Sequence, residues 1–194
     1  SFNNANLNWI IAGGASITLA NNLPVATGRT VLVTGTLDAA TLQITGAGDV
    51  TVNGTLRTSN TNGIELTGTL ASSGIKTIGA SSTVDYYAAG AQIFSTRTDY
   101  ANVIINGGGN KTLNGVATLS GNLTLTNGYV ISTAANLITL TSTASTSGAS
   151  NNSFVDGPVS KIGNALFIFP VGKPNCGPSG TVKGYAALKI ATFT

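Results

Sequence analysis

Histidine and methionine are absent from the 194-residue chain, and cysteine and tryptophan occur once each. Without histidine the chain lacks the commonest general base and the commonest metal ligand. Ser-His-Asp and Cys-His catalytic machinery is therefore excluded, and a single cysteine cannot supply the ligands of a structural zinc site. The sequence predicts no cofactor and no resident metal, and we expect that the protein is not an enzyme.

Charged residues are also scarce, at 8% of the chain against about 25% in ordinary globular proteins. Nine basic and six acidic side chains give a formal net charge of +3, and the basic ones are spread along the chain. Nucleic-acid binding needs a basic stripe, usually with aromatic residues, so no nucleic-acid partner is expected. Hydrophobic residues still make up 42% of the chain, which separates it from disordered sequences of low hydrophobicity and high charge.

The lone cysteine, Cys176, permits no disulfide within the chain. It is either an intermolecular bridge or exposed thiol of a secreted protein, or an incidental residue in a turn rich in proline and glycine. No apolar run approaches the roughly 18 residues of a membrane-spanning helix, so no membrane span is predicted. The chain begins at Ser1 without methionine or a signal peptide, and we interpret it as a processed product or a fragment.

What the sequence does contain is a series of short strand patterns closed by glycine. Residues 31–37 (VLVTGTL), 50–56 (VTVNGTL) and 64–70 (IELTGTL) are each predicted as one strand. Strict alternation at residues 123–126 (LTLT) indicates a strand with one buried face. Glycine follows Thr or Asn at intervals of about 10 or 20 residues. The first such pairs are Thr34-Gly35, Thr45-Gly46, Asn53-Gly54 and Asn62-Gly63.

This spacing favours a coil of about 20 residues that carries two or three short strands on each turn. The sequence therefore predicts an all-β protein. Its main part is a right-handed parallel β-helix, or β-solenoid, of short rungs over residues 1–150, and a small C-terminal β-strand or hairpin unit follows over residues 151–194. The boundary lies where a low-complexity stretch, residues 141–152, gives way to a segment with more aromatic residues and proline. An antiparallel β-sandwich is the alternative fold.

Acidic residues are the remaining candidates for catalysis. A glycosidase needs two carboxylates that face one sugar, and Asp38, Asp49 and Glu65 could align on successive rungs. A polysaccharide-degrading β-helix enzyme is therefore a less favoured hypothesis. The simpler interpretation is that these are scattered solubilising charges.

Aromatic and threonine-rich segments suggest binding surfaces. Tyr86, Tyr87 and Tyr100 are candidate surface-binding aromatics that could stack on sugars, although cross-strand packing at the edge of a rung is the favoured interpretation. Regular Thr-x-Thr pairs on a flat β-helix would favour ice as the ligand. A glycan- or ice-binding β-helix module is therefore the alternative function.

The ends of a solenoid expose unpaired strand edges, which invites polymerisation. The strand pattern at residues 185–194 is predicted to pair with another copy of the chain, end to end or by strand exchange. The residues predicted to carry this assembly are Tyr185, Ala187, Leu188, Ile190 and Phe193.

Two segments carry a distinctive order of short phrases. The first is residues 82–130 (STVDYYAAGAQIFSTRTDYANVIINGGGNKTLNGVATLSGNLTLTNGYV), and the second is residues 153–173 (SFVDGPVSKIGNALFIFPVGK). Together they resemble a module of large surface proteins of Bacteroidetes-type bacteria. The resemblance implies export by the type IX secretion route and a secreted, extracellular location at the cell surface. It also implies a structural or adhesive role, as a stalk, an adhesin segment or a filament subunit, with other copies of the chain or surface glycans as partners.

Overall fold

The computed structural model describes residues 4–176 and 182–190, and within them the backbone forms 23 strands and no helix. In chain order the strands are β1 (Trp9–Ile11), β2 (Ser16–Thr18), β3 (Leu23–Val25), β4 (Thr30–Val33), β5 (Thr36–Asp38), β6 (Ile44–Gly46), β7 (Asp49–Val52), β8 (Thr55–Thr58), β9 (Lys76–Ile78), β10 (Thr83–Tyr86), β11 (Gln92–Phe94), β12 (Arg97–Tyr100), β13 (Asn102–Ile105), β14 (Asn110–Leu113), β15 (Ala117–Leu119), β16 (Asn122–Leu125), β17 (Gly128–Ile131), β18 (Ile138–Leu140), β19 (Ser145–Ser147), β20 (Ser153–Asp156), β21 (Val159–Lys161), β22 (Phe167–Cys176) and β23 (Val182–Ile190).

The strands stack on three faces, and strands of successive turns pair in parallel. The second face is one seven-stranded sheet, β2-β5-β8-β10-β13-β16-β19, which defines about seven turns. The first face holds the sheets β1-β4-β7-β9 and β12-β15-β18-β21, and the third holds β3-β6 and β11-β14-β17-β20-β22-β23. The predicted β-solenoid is confirmed and the sandwich is wrong, because all these ladders are parallel except the final pair β22-β23. The hand of the coil stays a prediction.

The strand register shows how many residues make one turn of the coil and which side chains form its core. Paired residues such as Thr83 and Asn102, or Val103 and Leu123, lie about 20 residues apart, as the glycine spacing predicts. Each strand turns alternate side chains inward, where they stack on the same position of the next rung. The inward column of the second face is fully buried, and each member contributes about 1.5–3 kcal/mol. Its members are Leu37, Leu56, Val84, Val103 and Leu123.

Corners between the first and second faces stack backbone directly on backbone. A Cβ added to Gly54 would lie 2.1 Å from the carbonyl oxygen of Gly35, and one added to Gly35 would lie 2.2 Å from that of Ala12. Any side chain here would push the rungs apart, so the chain turns at these glycines. For this reason the single strands predicted at 31–37 and 50–56 are wrong, and each is two strands on different faces.

The segment between β8 and β9 departs from the regular repeat. Its predicted strand at 64–70 is wrong, because it forms turns with one isolated parallel bridge, Ile44 to Leu70. The amide of Leu70 donates to the carbonyl oxygen of Ile64 at 2.7 Å, so the segment folds back on itself. Leu66 at its tip has a φ of 56° and is 78% exposed.

The stack ends at β22, which pairs with β20 only through Val155 and Val171 and then pairs antiparallel with β23. Pro170 and Pro174 lie within β22. Proline has no N–H to donate, which disfavours a further regular parallel rung. The parallel stack continues past residue 150, because β20 pairs with β17 and β21 pairs with β18. The change to antiparallel pairing therefore comes later than the predicted boundary. The division into two domains stays a prediction.

Candidate functional site

Tyr86 and Tyr100 are core residues, so their prediction as surface-binding aromatics is wrong. Tyr86 is 0% exposed and Tyr100 is 1% exposed. Their hydroxyl oxygens lie 2.6 Å apart, and both rings pack on Phe94, with centroids 5.0 and 5.5 Å away. Burial raises the pKa of Tyr86 to about 12 and raises the pKa of Tyr100 well above 10.

A signal for this placement was present in the sequence. In the pattern Thr83-Val84-Asp85-Tyr86 the valine is an inward residue, and alternation puts the tyrosine two positions later on the same side. Tyr87 is the first residue past the strand and remains partly exposed. Only Tyr87 of the three predicted aromatics therefore reaches the surface.

Tyr87 belongs to a closed network on the second face. Its hydroxyl donates to Oδ1 of Asp38 at 2.6 Å, and the guanidinium of Arg57 lies 4.7 Å from its ring centroid. Arg57 donates in turn to Asp38 at 2.9 Å and to Asp85 at 3.0 Å. Because the Arg57 and Tyr87 donors and the Asp38 acceptors are used within the protein, the network suits a structural ladder better than a sugar subsite.

The charged column of this face consists of Asp38, Arg57 and Asp85 on adjacent rungs, with the arginine between the two aspartates. Asp85 is 5% exposed, and its Oδ1 has no hydrogen-bond partner among the described residues. Burial raises the pKa of Asp85, and the hydrogen bond from Arg57 opposes that shift.

The carboxylates predicted for catalysis do not converge. Asp38 lies on the second face in β5, whereas Asp49 lies on the first face in β7 and its Oδ1 accepts the amide of Ile75 at 2.8 Å. Glu65 lies in the segment between β8 and β9 and forms ion pairs with Lys76 and Arg97. Asp38 and Glu65 are therefore engaged with basic partners.

Arg97 joins the two sheets of the first face, between which no backbone ladder is present. It donates to the carbonyl oxygen of Lys76 at 3.0 Å, while its bidentate partner Asp99 accepts the amide of Ile78 at 3.2 Å. Burial opposes the charge of Arg97, but hydrogen bonds and charge from Asp99 and Glu65 outweigh it and raise its pKa. This network fixes β9 to β12 through side chains.

Lys111 points into the core, which the sequence did not reveal. It is 0% exposed, and its Nζ donates to the carbonyl oxygens of Ala88, at 2.6 Å, and Gly108. Burial lowers its pKa to about 8, opposed by the charge of Asp85. One lysine side chain therefore supplies the donor to the corner at Gly108 on its own rung and to the corner at Ala88 one rung away.

Lys161 has the same role at the C-terminal end of the stack. Its Nζ donates to the carbonyl oxygens of Thr141, Ser142 and Ala144, and lies 5.2 Å from the Phe167 ring centroid. Two cavities of about 220 and 290 Å³ border Lys161 on either side of Phe167. At the opposite end, a 90 Å³ apolar cavity is lined by residues of the first two turns, among them Trp9, Ile10 and Leu37.

A polar and aliphatic surface covers the first face at β15, β18 and β21. It consists of the middle residue of each strand and the residues that directly precede and follow the strand. We call these nine residues the hydroxyl face. They are Val116, Thr118, Ser120, Leu137, Thr139, Thr141, Pro158, Ser160 and Ile162.

The predicted assembly strand is β23, which begins at Val182 rather than at residue 185. It is the outermost strand of its sheet among the described residues and pairs with β22 of the same chain. Leu188 is 55% exposed and Ile190 is 38% exposed, whereas Phe193 lies outside the described residues. Assembly through this strand stays a prediction.

Across residues 4–176 and 182–190 no group of three or more acidic or cysteine residues is placed to hold a metal ion. The same part of the chain has no helix long and apolar enough to cross a membrane. The chain matches no family model, no curated protein and no solved structure. The fold alone defines its class, a β-solenoid with a C-terminal antiparallel strand pair.

Proposed function

We propose that the chain is an extracellular structural or adhesive module, which serves as a stalk, an adhesin segment or a filament subunit of a cell-surface protein. The observation that carries this proposal is the seven-stranded ladder of the second face, which runs without a break through the stack. Each rung contacts mainly its neighbours, so such a stack forms a stiff, elongated unit. Stiffness along one axis is what a stalk requires.

Polar ladders support the proposal, because they stabilise the rungs without charge. The side-chain amide of Asn122 donates to Oγ of Ser147 at 2.8 Å, and Ser145 donates to Oδ1 of Asn122 at 3.0 Å. Oδ1 of Asn102 accepts the backbone amide of Asn122 one rung away at 2.9 Å. Interactions of this kind depend little on ionic strength, which suits an exposed environment.

The location rests on the resemblance of residues 82–130 and 153–173 to surface modules exported by the type IX route. Secretion, surface attachment and adhesion are therefore part of this proposal. Its test is localisation of the natural gene product by surface proteolysis of intact cells, where protection of the protein inside the cell would contradict it.

End-to-end assembly follows from the open edges of the stack. Among the described residues, β1 and β2 have one unpaired edge each, and Ile10 in β1 is 69% exposed beside the apolar end cavity. A second copy that docks there would continue the ladders and bury this surface. Pairing through Leu188 and Ile190 of β23 is the strand-exchange route.

Sedimentation velocity and electron microscopy over a range of concentrations test the assembly. Ile10→Lys places a charge on the open end and should abolish end-to-end particles. Ile75→Lys is the matched control, since Ile75 is 72% exposed at mid-stack and should leave assembly unchanged. Monomers at all concentrations would contradict self-assembly, and a compact shape would contradict the stalk.

Glycan or ice binding is the second candidate function, and the hydroxyl face is the observation that favours it. Thr118, Thr139 and Ser160 form a column in unshifted parallel register, and the hydroxyl face to which they belong carries no charged residue. A polysaccharide-degrading activity has less support, because Asp38 and Glu65 are engaged in separate ion pairs.

A further inference from the structure

The middle column of the hydroxyl face offers one hydroxyl group on each rung. Thr118 pairs with Thr139, and Thr139 pairs with Ser160, in an unshifted parallel register. Neighbouring strands lie about 4.7–4.9 Å apart, so the hydroxyl groups repeat at that distance along the stack axis. Earlier rungs of the same face continue the pattern with Thr51 and Thr77.

These hydroxyl groups are available to a ligand. The side chains of Thr118, Thr139 and Ser160 make no hydrogen bond to the rest of the described chain. By contrast, Asn122 on the second face uses its side-chain amide to bond Thr124 and Ser147. The second-face column is therefore satisfied internally there, whereas the first-face column can bond only to solvent or to a ligand.

Aliphatic side chains flank one side of this column, and the other side consists of Ser120, Thr141 and the aliphatic Ile162. Val116, Leu137 and Pro158 directly precede the three strands, and Val116 is 41% exposed. Ile162, which follows β21, is 52% exposed. The surface thus places one apolar strip beside a strip of hydroxyl groups.

Charge is absent from the hydroxyl face itself. The nearest basic group on these strands, Lys161, turns its Nζ toward the carbonyl oxygens of Thr141, Ser142 and Ala144. On the adjacent rung, Arg97 and Asp99 neutralise each other. A charged polymer would gain no partner here, so the chemistry of the surface suits an uncharged ligand.

The geometry points to an uncharged polysaccharide as that ligand, lying extended along the stack axis with about one sugar residue per rung. This inference rests on the second candidate function and names its ligand and its site. An extended chain of β-linked pyranose residues advances by nearly the same distance per residue as the rungs do. Its ring hydroxyl groups would bond Thr118, Thr139 and Ser160 in turn, while its C–H faces would pack on the flanking aliphatic side chains.

Binding to microcrystalline cellulose and to crystalline chitin tests the inference, with depletion of the full chain from solution as the measurement. We expect binding to at least one of the two, unchanged between low and high salt because no charge is involved. Soluble polygalacturonate, a charged polymer, should not compete.

The informative variant is Thr118→Val with Thr139→Val, which removes two hydroxyl groups and keeps the β-branched shape. We expect at least tenfold weaker binding. The matched control is Thr36→Val with Thr55→Val, an adjacent pair in the outward column of the second face, which should bind within twofold of the parent chain. Equal thermal unfolding of both variants would show that folding is not the cause.

Three results would overturn the inference: no binding to either polysaccharide, equal loss in both double variants, or thermal hysteresis of ice growth without polysaccharide binding. A rod-shaped chain that binds neither polysaccharide would overturn this site alone and leave the structural function standing. A compact chain that binds polysaccharide through Thr118 and Thr139 would support this site and contradict the structural function as a stalk.

Discussion

The hydroxyl oxygens of Tyr86 and Tyr100 meet inside the core at 2.6 Å, although the two residues belong to strands on different faces. Tyr100 donates to the carbonyl oxygen of Ser95 at 2.9 Å, so Tyr86 is the donor to Tyr100. The amide of Ser95 then donates to Tyr86 at 3.3 Å and closes the ring of hydrogen bonds. Two faces of the solenoid are thereby tied together at one corner.

Replacing Tyr100 by phenylalanine should destabilise the protein more than replacing Tyr86. Tyr100→Phe leaves the Ser95 carbonyl without its donor and the Tyr86 hydroxyl without its acceptor, at a cost of about 1–3 kcal/mol. Tyr86→Phe keeps the bond from Tyr100 to Ser95, loses the longer bond from the Ser95 amide, and should cost about 1 kcal/mol. Thermal unfolding of the two variants measures the difference, and equal loss of stability would contradict the assigned donor directions.

Stability should rise with pH between about 8 and about 10.5 because of Lys111. Its folded-state pKa is about 8, below the unfolded value of 10.5, so the unfolded chain binds more protons in this range. The expected gain is a few kcal/mol. Denaturant unfolding as a function of pH should show the rise in the parent chain and in Lys189→Met, an exposed control, and should lose it in Lys111→Met.

Above pH 10 the slope should reverse because of Tyr100, whose pKa burial also raises, and Tyr86. The folded-state pKa of Tyr86 is about 12, above the unfolded value of 10, so the folded chain holds the proton longer and stability falls as pH rises. Tyr86→Phe should flatten this fall. A chain whose tyrosines all ionise together near pH 10 while still folded would contradict the burial of Tyr86.

Removal of Lys161 should loosen the end of the stack before the rest. Lys161→Met loses the donor to Thr141, Ser142 and Ala144 and should cost about 1–3 kcal/mol. Hydrogen exchange should accelerate first in β18 and β19. Lys173→Met is the control, because its ion pair with Asp156 is exposed and should contribute less than about 1 kcal/mol.

Gly54→Ala should be among the most damaging substitutions in the chain. Its Cβ would lie 2.1 Å from the carbonyl oxygen of Gly35, so the rungs would have to separate, at a cost above about 2 kcal/mol. Gly90→Ala is the matched control, since no atom lies within 4 Å of the added Cβ and its φ needs no glycine. A similar unfolding midpoint for the two variants would contradict the tight stacking of the corners.

Much of the fold could be predicted from local sequence patterns. Glycine spacing set the coil at about 20 residues, and strict alternation at residues 123–126 located β16 correctly. Local patterns failed where a corner interrupts a run, as at Thr34-Gly35, because VLVTGTL has the same alternation whether or not the chain turns within it. Whether the chain turns there depends on the stacking of Gly35 on Ala12, which is a contact with the previous rung.

The surfaces were harder to predict, since they depend on which turns lie side by side. Arg57 lies between Asp38 and Asp85 although the gap to Asp85 is longer than one regular coil, because the segment between β8 and β9 folds outside the ladder. The hydroxyl face was equally hard to predict, since the sequence does not show that Thr118 and Thr139 are neighbours until the register is known. Burial of Lys111 was unpredictable because lysine is rarely buried, and one of its two carbonyl acceptors, Ala88, lies 23 residues earlier in the chain.

The seam at Arg97 has a mechanical consequence. Between β9 and β12 the first face has no backbone ladder, and the contacts of Arg97 and Asp99 take its place. Under tension along the axis, rungs elsewhere share the load among backbone ladders, whereas here one side relies on a few side-chain bonds. Under such tension the solenoid would open first at this seam, and the force needed to open it would fall when Arg97 is replaced.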